Sequence, residues 1–518
     1  MNRPLGVLRG AATATRERIS AVTSQSERTL LLGTILLGSA LSAVTAYVLV
    51  QCYAVDVVST LLLVPQDCWL DWGMNVGRHC FSDYAMIATV GVRANPAEYP
   101  VLLPPSYLPG PIGTWAPARL PYTLFAFPAH LLGVPRLGLI SYLIAMTAAL
   151  ISPAIWAARG TQGLERVVVF VALAVAAVPA WGIIDRGNST GFVVPIALVF
   201  FVALSRRRWG LVAFMVVLAV LLKPQFAVLA MVFFAARQWR WGVITFAGIA
   251  LSNIAAFMLW PKGFPGTIPQ SLHDLMKFNN TNGGLQDTRN VAFARGLLLI
   301  PDNIKAAQTG GKIPEDFLAG PRTLIGFAIL VIVVVSVLAL GRRIPPVMAG
   351  IVLLATATLA PSYAAFYYLV FALPIAALLV RDPNGAPGAG IFDRIAVGGV
   401  RRRAVGVTLT LATALSIVNI AVPGRPFEAD IYGQMGARGV IGHTLLVPTT
   451  VVYASLFWLL ACAVILASYA RRPADPSEGD DLQAQESGAD APAPAEAITT
   501  ESAPAEAAGG GSKTPPTS

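Results

Sequence analysis

The chain has 518 residues, 55% of them hydrophobic and 12% charged, against roughly 25% charged in an ordinary soluble domain. That balance, with a formal charge of +10, excludes a soluble globular protein, and apolar runs near the length that crosses a ~30 Å hydrocarbon core recur throughout. Backbone polar groups find no water at that depth, so the runs are helices and the fold class is an all-α polytopic membrane protein.

Residues 1–28 carry Arg9, Arg16, Arg18 and Arg28 and precede a first span at about 29–50. That span is longer than a signal-peptide core and lacks a small-residue cleavage site, so it is expected to be retained. Further spans are drawn at about 138–157, 166–184, 190–205, 209–222, 224–236, 241–260, 322–341, 345–361, 363–380, 404–422 and 447–470. Together they make about twelve crossings in one domain over 29–472. Leu120–Val134 is too short to cross and reads as a re-entrant or interfacial helix. Basic clusters recur at Arg159/Arg166, Arg206–Arg208, Arg237/Arg240, Arg342/Arg343, Arg394/Arg401–Arg403 and Arg471/Arg472. Placing them in the cytoplasm orients the chain in a cell membrane with both termini inside. Thirteen of the eighteen acids that precede the tail then fall on the outer side, a consequence not used to draw the spans.

Three outer segments stand out by length, about 51–137, 261–321 and 423–446. The tail, 473–518, holds nine acids and one lysine in an Ala/Pro-rich background without apolar periodicity. It is expected to be disordered and cytoplasmic. Without it the body carries +18, which suits anionic lipids and anionic lipid-linked substrates, although topology-fixing arginines account for much of the excess. No CxxC, HExxH or P-loop pattern is present, so neither a metal nor a nucleotide is implied. Cys68 and Cys80 share the first outer loop, where a disulfide persists if their geometry permits one.

Chemistry concentrates in four places. The first outer loop gathers Asp71, Trp72, His79, Asp83 and Tyr84. A carboxylate held at the membrane surface can act as a general base, and aromatic faces are surfaces on which sugar rings stack. Otherwise these acids are solvated loop residues. At the outer end of the third span lie Asp185, Arg186 and Asn188. Ionisable groups at that depth default to functional candidates, and Arg186 suits a phosphate, unless it serves only as an interfacial anchor. Lys223 precedes Pro224, which breaks its helix. A lysine there needs an anionic partner, either a lipid phosphate or Asp185. The fourth place is the loop with Asn279, Asn280, Asn282 and Asn290, which fits hydroxyls and phosphates but is equally a run of ordinary turns. Tyr363, Tyr367 and Tyr368 read as interfacial belt aromatics before substrate contacts.

The stretch from Gly187 to Trp241, with Gly187-Asn188, Arg206–Arg208, Lys223-Pro224 and Arg237–Trp241 in that order, resembles the GT-C superfamily of membrane glycosyltransferases. Within it the chain is similar to bacterial polyprenyl-phosphate-mannose-dependent mannosyltransferases and related arabinofuranosyltransferases. Asp83-Tyr84, followed by Pro104-Pro105 or Pro121-Tyr122, is similar to that family's first-loop acid–aromatic pair, with Asp71-Trp72 as a rival. Two features depart from the pattern: Asn188 stands where Gln is frequent, and the region around Tyr363–Tyr368 lacks a histidine often found there. The resemblance, over roughly residues 60–380, implies a GT-C-like bundle and no cofactor. It implies a lipid-phosphate sugar as donor and an envelope glycolipid or glycan as acceptor on the outer face. Asp83 or Asp71 is then the base. Arg186, Lys223 and His79 meet the donor phosphate, while Asp185, Asn188, Trp72, Tyr84, Asn279, Asn280 and Asn290 line the substrates. The competing readings are a transporter or lipid flippase, weakened by the absence of an internal repeat, and a non-catalytic scaffold of envelope assembly.

Overall fold

The structure is a computed structural model and describes residues 25–53, 55, 57–62, 68–70, 76–78, 81–93, 101–103, 108–110, 114–260, 262–281, 285, 289–310, 313–314, 317–397, 403–432 and 438–471. The chain divides into two units, Met1–Ala470 and Arg471–Ser518.

Five helices are long and apolar enough to cross a membrane: α1 (Glu27–Tyr53), α4 (Pro135–Ala158), α10 (Trp239–Met258), α12 (Ala319–Leu340) and α16 (Thr449–Ala470). Between them in chain order come α2 (Ser82–Gly91), α3 (Leu120–Leu131), α5 (Gly163–Phe170), α6 (Val178–Arg186), α7 (Val193–Ser205), α8 (Trp209–Leu222), α9 (Met231–Ala235) and α11 (Thr267–Thr281). The short helices α13 (Pro346–Leu359), α14 (Ala372–Val380) and α15 (Arg403–Ile417) separate α12 from α16. The long helices are built inside out. On α1, Leu31, Ile35, Ala46 and Leu49 face the bundle, while Leu37, Leu41, Val44 and Tyr47 are exposed. On α12, Leu324, Phe327, Ile332 and Val335 are exposed in the same way. Apolar stripes this extensive are not left in water, and they mark a membrane protein.

Twelve crossings are not what the helix lengths give. Besides the five, α5 and its continuation through Val175 form a broken span with α6, bent by 44°. Pro179 near the start of α6 and a π-helical turn at Val171–Val175 supply the break. The other six drawn spans correspond to apolar helices of 10–17 residues. A 14-residue helix such as α13 extends only about 21 Å. Two of these short helices are surrounded by protein rather than lipid: every residue of α13 from Val347 on, and all of α14, is buried. Gly326 makes the contact of α12 with this centre possible, since a Cβ there would strike the Ala360 carbonyl.

Two further differences from the sequence drawing involve strands. The span drawn over 404–422 ends as a helix at Ile417, and Ala421–Tyr432 pairs antiparallel with Arg438–Pro448. The register shifts between Pro423 and Pro426, where a missing N–H is tolerated at a bulge. Two smaller hairpins pair Cys68–Leu70 with Val76–Arg78 and Val101–Leu103 with Leu108–Gly110.

The turns sort to two ends of the bundle. At one end Arg206 donates to the Pro383 carbonyl (2.9 Å), Asn384 to Ser205 Oγ (2.8 Å) and Arg381 to the Trp156 carbonyl (2.6 Å). Arg28 pairs with Glu165 there, Arg394 with Asp382 and Arg403 with Glu27. The helix α7 runs from the far end to this one and α8 runs back, so that Asn188 and Lys223 both lie at the far end.

Candidate functional site

Asp83 lies in the first turn of α2, where the helix dipole favours an acid. Facing it, Arg186 closes the last turn of α6, where the dipole favours a cation. The α6 terminus is a Schellman turn: Gly187 is left-handed (φ 64°), its N–H donates to the Ile184 carbonyl, and that of Asn188 to the Ile183 carbonyl. This turn directs two neighbouring side chains at one carboxylate. Arg186 Nη2 donates to Asp83 Oδ1 at 3.1 Å, and Asn188 Nδ2 donates to Oδ2 at 2.7 Å. Asn188 Oδ1 accepts from the Thr190 N–H at 3.0 Å, capping the 3₁₀ turn Ser189–Phe192 and fixing which end of the amide meets the acid. The Asp83 side chain is 11% exposed and that of Arg186 28%, so the pair is largely dry without being sealed.

Three phenol rings support this clasp. Tyr142 donates to the Gly187 carbonyl (3.0 Å), and Tyr122 accepts from the Ser189 N–H (2.8 Å). The rings of Tyr122 and Tyr142 stack at 5.3 Å, with Tyr84 4.7 Å from Tyr142. Burial pushes the phenols of Tyr84 and Tyr122 above their ordinary value, and the nearby Asp83 charge adds to the shift at Tyr122.

Lys223 stands at the break between α8 and the 3₁₀ segment Pro224–Ala230. Its Nζ donates to Tyr368 Oη at 2.8 Å and lies 4.8 Å from the centre of that ring. Among the described residues it has no carboxylate partner, so the pairing with Asp185 weighed from the sequence is replaced by a tyrosine. Lys223, Tyr368, Thr190, Gln225 and Thr358 line one narrow cleft. The hydroxyl of Thr190 is buried in it without a hydrogen-bond partner. Tyr367, whose ring is 5.0 Å from that of Tyr368, is within electrostatic reach of both Asp83 and Arg186. Asp83, Arg186, Asn188, Thr190, Lys223, Tyr367 and Tyr368 thus form one constellation drawn from four parts of the chain.

Other residues singled out from the sequence lie elsewhere or serve the backbone. Tyr84 is a buried member of the ring stack, and Asp185 is buried on α6. Asn290 uses its whole amide internally: Nδ2 donates to the Leu285 and Ser362 carbonyls, and Oδ1 accepts from the N–H groups of Ala292 and Ala364. Asn279 and Asn280 lie on α11, with side chains outside the described residues. Asp71, Trp72, His79 and Cys80 are also outside them, as is the side chain of Cys68. Among the described residues no group of His, Cys, Asp and Glu forms a metal site.

Sequence reasoning named Tyr122 only within a Pro-Tyr pair of the resemblance and did not find Thr190 or Tyr142. A tyrosine within an apolar span was the one available signal, and nothing local tied Tyr142 to a carbonyl 45 residues away. Also missed was a buried triad in which Asp302 pairs with both Arg295 and Arg322. Compared with known proteins, no family model and no curated sequence matches the chain.

Proposed function

We propose that the protein is a membrane glycosyltransferase, moving a mannosyl or arabinofuranosyl residue from a polyprenyl-phosphate sugar to a glycolipid or polysaccharide of the cell envelope. The observation that carries this reading is the carboxylate of Asp83, held by Arg186 and Asn188 beside a cleft that presents Lys223 and the unpartnered Thr190 hydroxyl. A base next to two cations in a recess walled by protein matches the demands of displacing a phosphate from an anomeric carbon.

The acceptor oxygen attacks the anomeric carbon and its proton passes to a carboxylate oxygen of Asp83. The bond from that carbon to the phosphate oxygen breaks, and its electron pair leaves with the polyprenyl phosphate. Arg186 and Lys223 stabilise the charge that develops there, a role that requires cations already oriented in a partly dry site. Arg186 is suited to both contacts, since its planar fork can face a carboxylate on one edge and a phosphate on another. Thr190 supplies a neutral donor to the same phosphate. On the positive-inside rule the constellation faces outward, with the Arg206 end in the cytoplasm.

The break between α5 and α6 also fits a lipid transporter, in which interrupted helices flank the substrate path. One experiment separates the two readings. Purified protein is offered polyprenyl-phosphate mannose and polyprenyl-phosphate arabinofuranose separately, with envelope glycolipid as acceptor. Wild type is compared with Asp83→Asn and Asp71→Ala. The enzyme reading expects transfer from one donor and a loss of at least about 100-fold in Asp83→Asn. Transfer that survives in Asp83→Asn removes Asp83 as the base, and lipid movement without a new glycosidic bond favours the transporter.

A further inference from the structure

At the bundle end opposite Asp83, two cavities of about 420 and 700 Å³ adjoin each other. They share Ala235, Gly341 and Arg342. Arg207, Trp209 and Gln238 line the first, and Arg237, Trp239 and Arg343 the second. Four arginines therefore line the two adjoining cavities, and no described carboxylate lines either of them. All four arginines are exposed, and no described acid pairs with them.

The backbone gives an independent indication that these side chains matter. Arg207 and Arg237 are left-handed, with φ of 53° and 58°. Each occupies the position that follows a helix, α7 for the first and α9 for the second, where glycine is the unstrained choice. In both turns the next residue reaches back to the helix, Arg208 N–H to the Ala203 carbonyl and Gln238 N–H to the Phe233 carbonyl. Two arginines held in a conformation unfavourable to them, one lining each of the adjoining cavities, are a local departure from backbone preference of the kind that marks a site.

The walls identify the occupant. Phe234, Leu338 and Leu340 line the second cavity below its arginines. Leu338 and Trp239 are also exposed on the lipid-facing sides of α12 and α10. A site with cations at the helix ends, indole rings at the same level and aliphatic groups one turn deeper has the layering of a phospholipid, headgroup first and chain beneath. We propose that this recess binds an anionic phospholipid of the leaflet at that end, its phosphate held among Arg207, Arg237, Arg342 and Arg343 and its acyl chain against Leu338 and Leu340. The site is independent of the glycosyltransferase reading and stands if that reading fails.

The test uses the full chain, purified in detergent, with bound lipid counted by native mass spectrometry. Cardiolipin, phosphatidylglycerol and phosphatidylcholine are titrated in turn. Wild type is compared with Arg342→Gln, with the combined Arg207→Gln/Arg237→Gln/Arg342→Gln/Arg343→Gln variant, and with Arg240→Gln as an exposed arginine outside the cavities. The expected result is saturable binding of the anionic lipids at least about tenfold tighter than phosphatidylcholine. That preference falls stepwise in the single and combined variants, is unchanged in Arg240→Gln and weakens as salt is raised. The salt dependence requires no variant to fold. Equal binding of phosphatidylcholine, or anionic binding indifferent to both salt and the four substitutions, overturns the proposal. The acidic segment 473–518 is the other occupant of suitable charge. If the combined variant makes that segment newly accessible to protease and leaves lipid binding unchanged, the recess holds the segment and the proposal fails.

Discussion

Gly187→Ala tests whether the Asp83 clasp depends on one backbone turn. The residue has φ 64° and ψ 36°, a conformation that costs an L-residue about 1–2 kcal/mol. A Cβ built there lies 2.8 Å from Tyr84 Cβ and 3.4 Å from the Tyr84 backbone nitrogen. Neither atom is the end of a flexible chain, so α2 itself has to shift, and overpacking of this kind costs a further ~1–3 kcal/mol. The expected loss is therefore about 2–5 kcal/mol. Because Tyr84 follows Asp83 directly, the same shift draws the carboxylate away from Arg186 and Asn188. Gly133→Ala is the matched control: its φ is also positive (68°), but nothing lies within 4 Å of an added Cβ, so it carries only the ~1–2 kcal/mol of strain. Thermal unfolding of both variants in the same detergent measures the difference. If Gly187→Ala melts no lower than Gly133→Ala, the close approach of α6 to α2 is wrong, and the geometry built on it goes too.

Asp302→Asn leaves Arg295 and Arg322 as buried like charges. A loss of about 3–5 kcal/mol is expected, read as failure of the variant to accumulate or a sharply lowered melting temperature; wild-type behaviour would mean the triad is not buried. Asn290→Ala strands the N–H groups of Ala292 and Ala364 and should cost about 2–4 kcal/mol. Asn290→Asp, which keeps the acceptor, should recover part of that melting temperature. Raised phenol pKa values at Tyr84 and Tyr122 mean that the folded state holds its protons after the unfolded state has lost them. Stability contributed by these groups is thus fully present below about pH 10 and declines as pH rises through it. Melting curves across about pH 9–11 should show the decline and a shallower slope in Tyr84→Phe, and an unchanged slope would place that phenol in solvent.

The sequence made some of this visible and left the rest hidden for identifiable reasons. Lys223-Pro224 announced a break because proline removes a backbone donor and lysine is costly in hydrocarbon, and α8 does end there. The third span was drawn to end near residue 184, and α6 ends at Arg186, in a Schellman turn at Gly187 that the sequence reading did not draw. At the centre of the bundle the helices are shorter than the drawn spans suggest. An apolar run of 14–17 residues looks like a lipid span, but α13 is walled by protein and need not reach across. The interior of α13 gives no sign of this, since protein and lipid neighbours demand the same apolar residues. Pairing partners were the least legible, because they depend on contacts across long chain separations: Asp83 to Arg186 spans 103 residues and Lys223 to Tyr368 spans 145. Tyr368, read first as a belt aromatic, is placed at the cleft by tertiary packing alone.

The short helices and the constellation have a common physical origin. Three interruptions, at Gly187–Ser189, at Lys223–Gln225 and at Pro361–Ala365, meet at one end of the bundle, each exposing backbone groups that a lipid environment would leave unpaired. Such breaks are tolerated at membrane depth only where protein satisfies them. Tyr142 and Tyr122 do so for the first and Asn290 for the third. These side chains are fully committed to the backbone, so they hold the interruptions open without contributing a free group. A second set of polar groups lies in or next to the resulting cleft: Asp83 held by Arg186 and Asn188, Lys223 held by Tyr368, and the Thr190 hydroxyl without a hydrogen-bond partner. A polar recess at this depth therefore needs both sets. Loss of a backbone clasp should reduce stability first and perturb the recess only as a consequence. Loss of Lys223 or Thr190 should alter the recess while the fold stays intact, because neither contributes a side-chain hydrogen bond to the backbone.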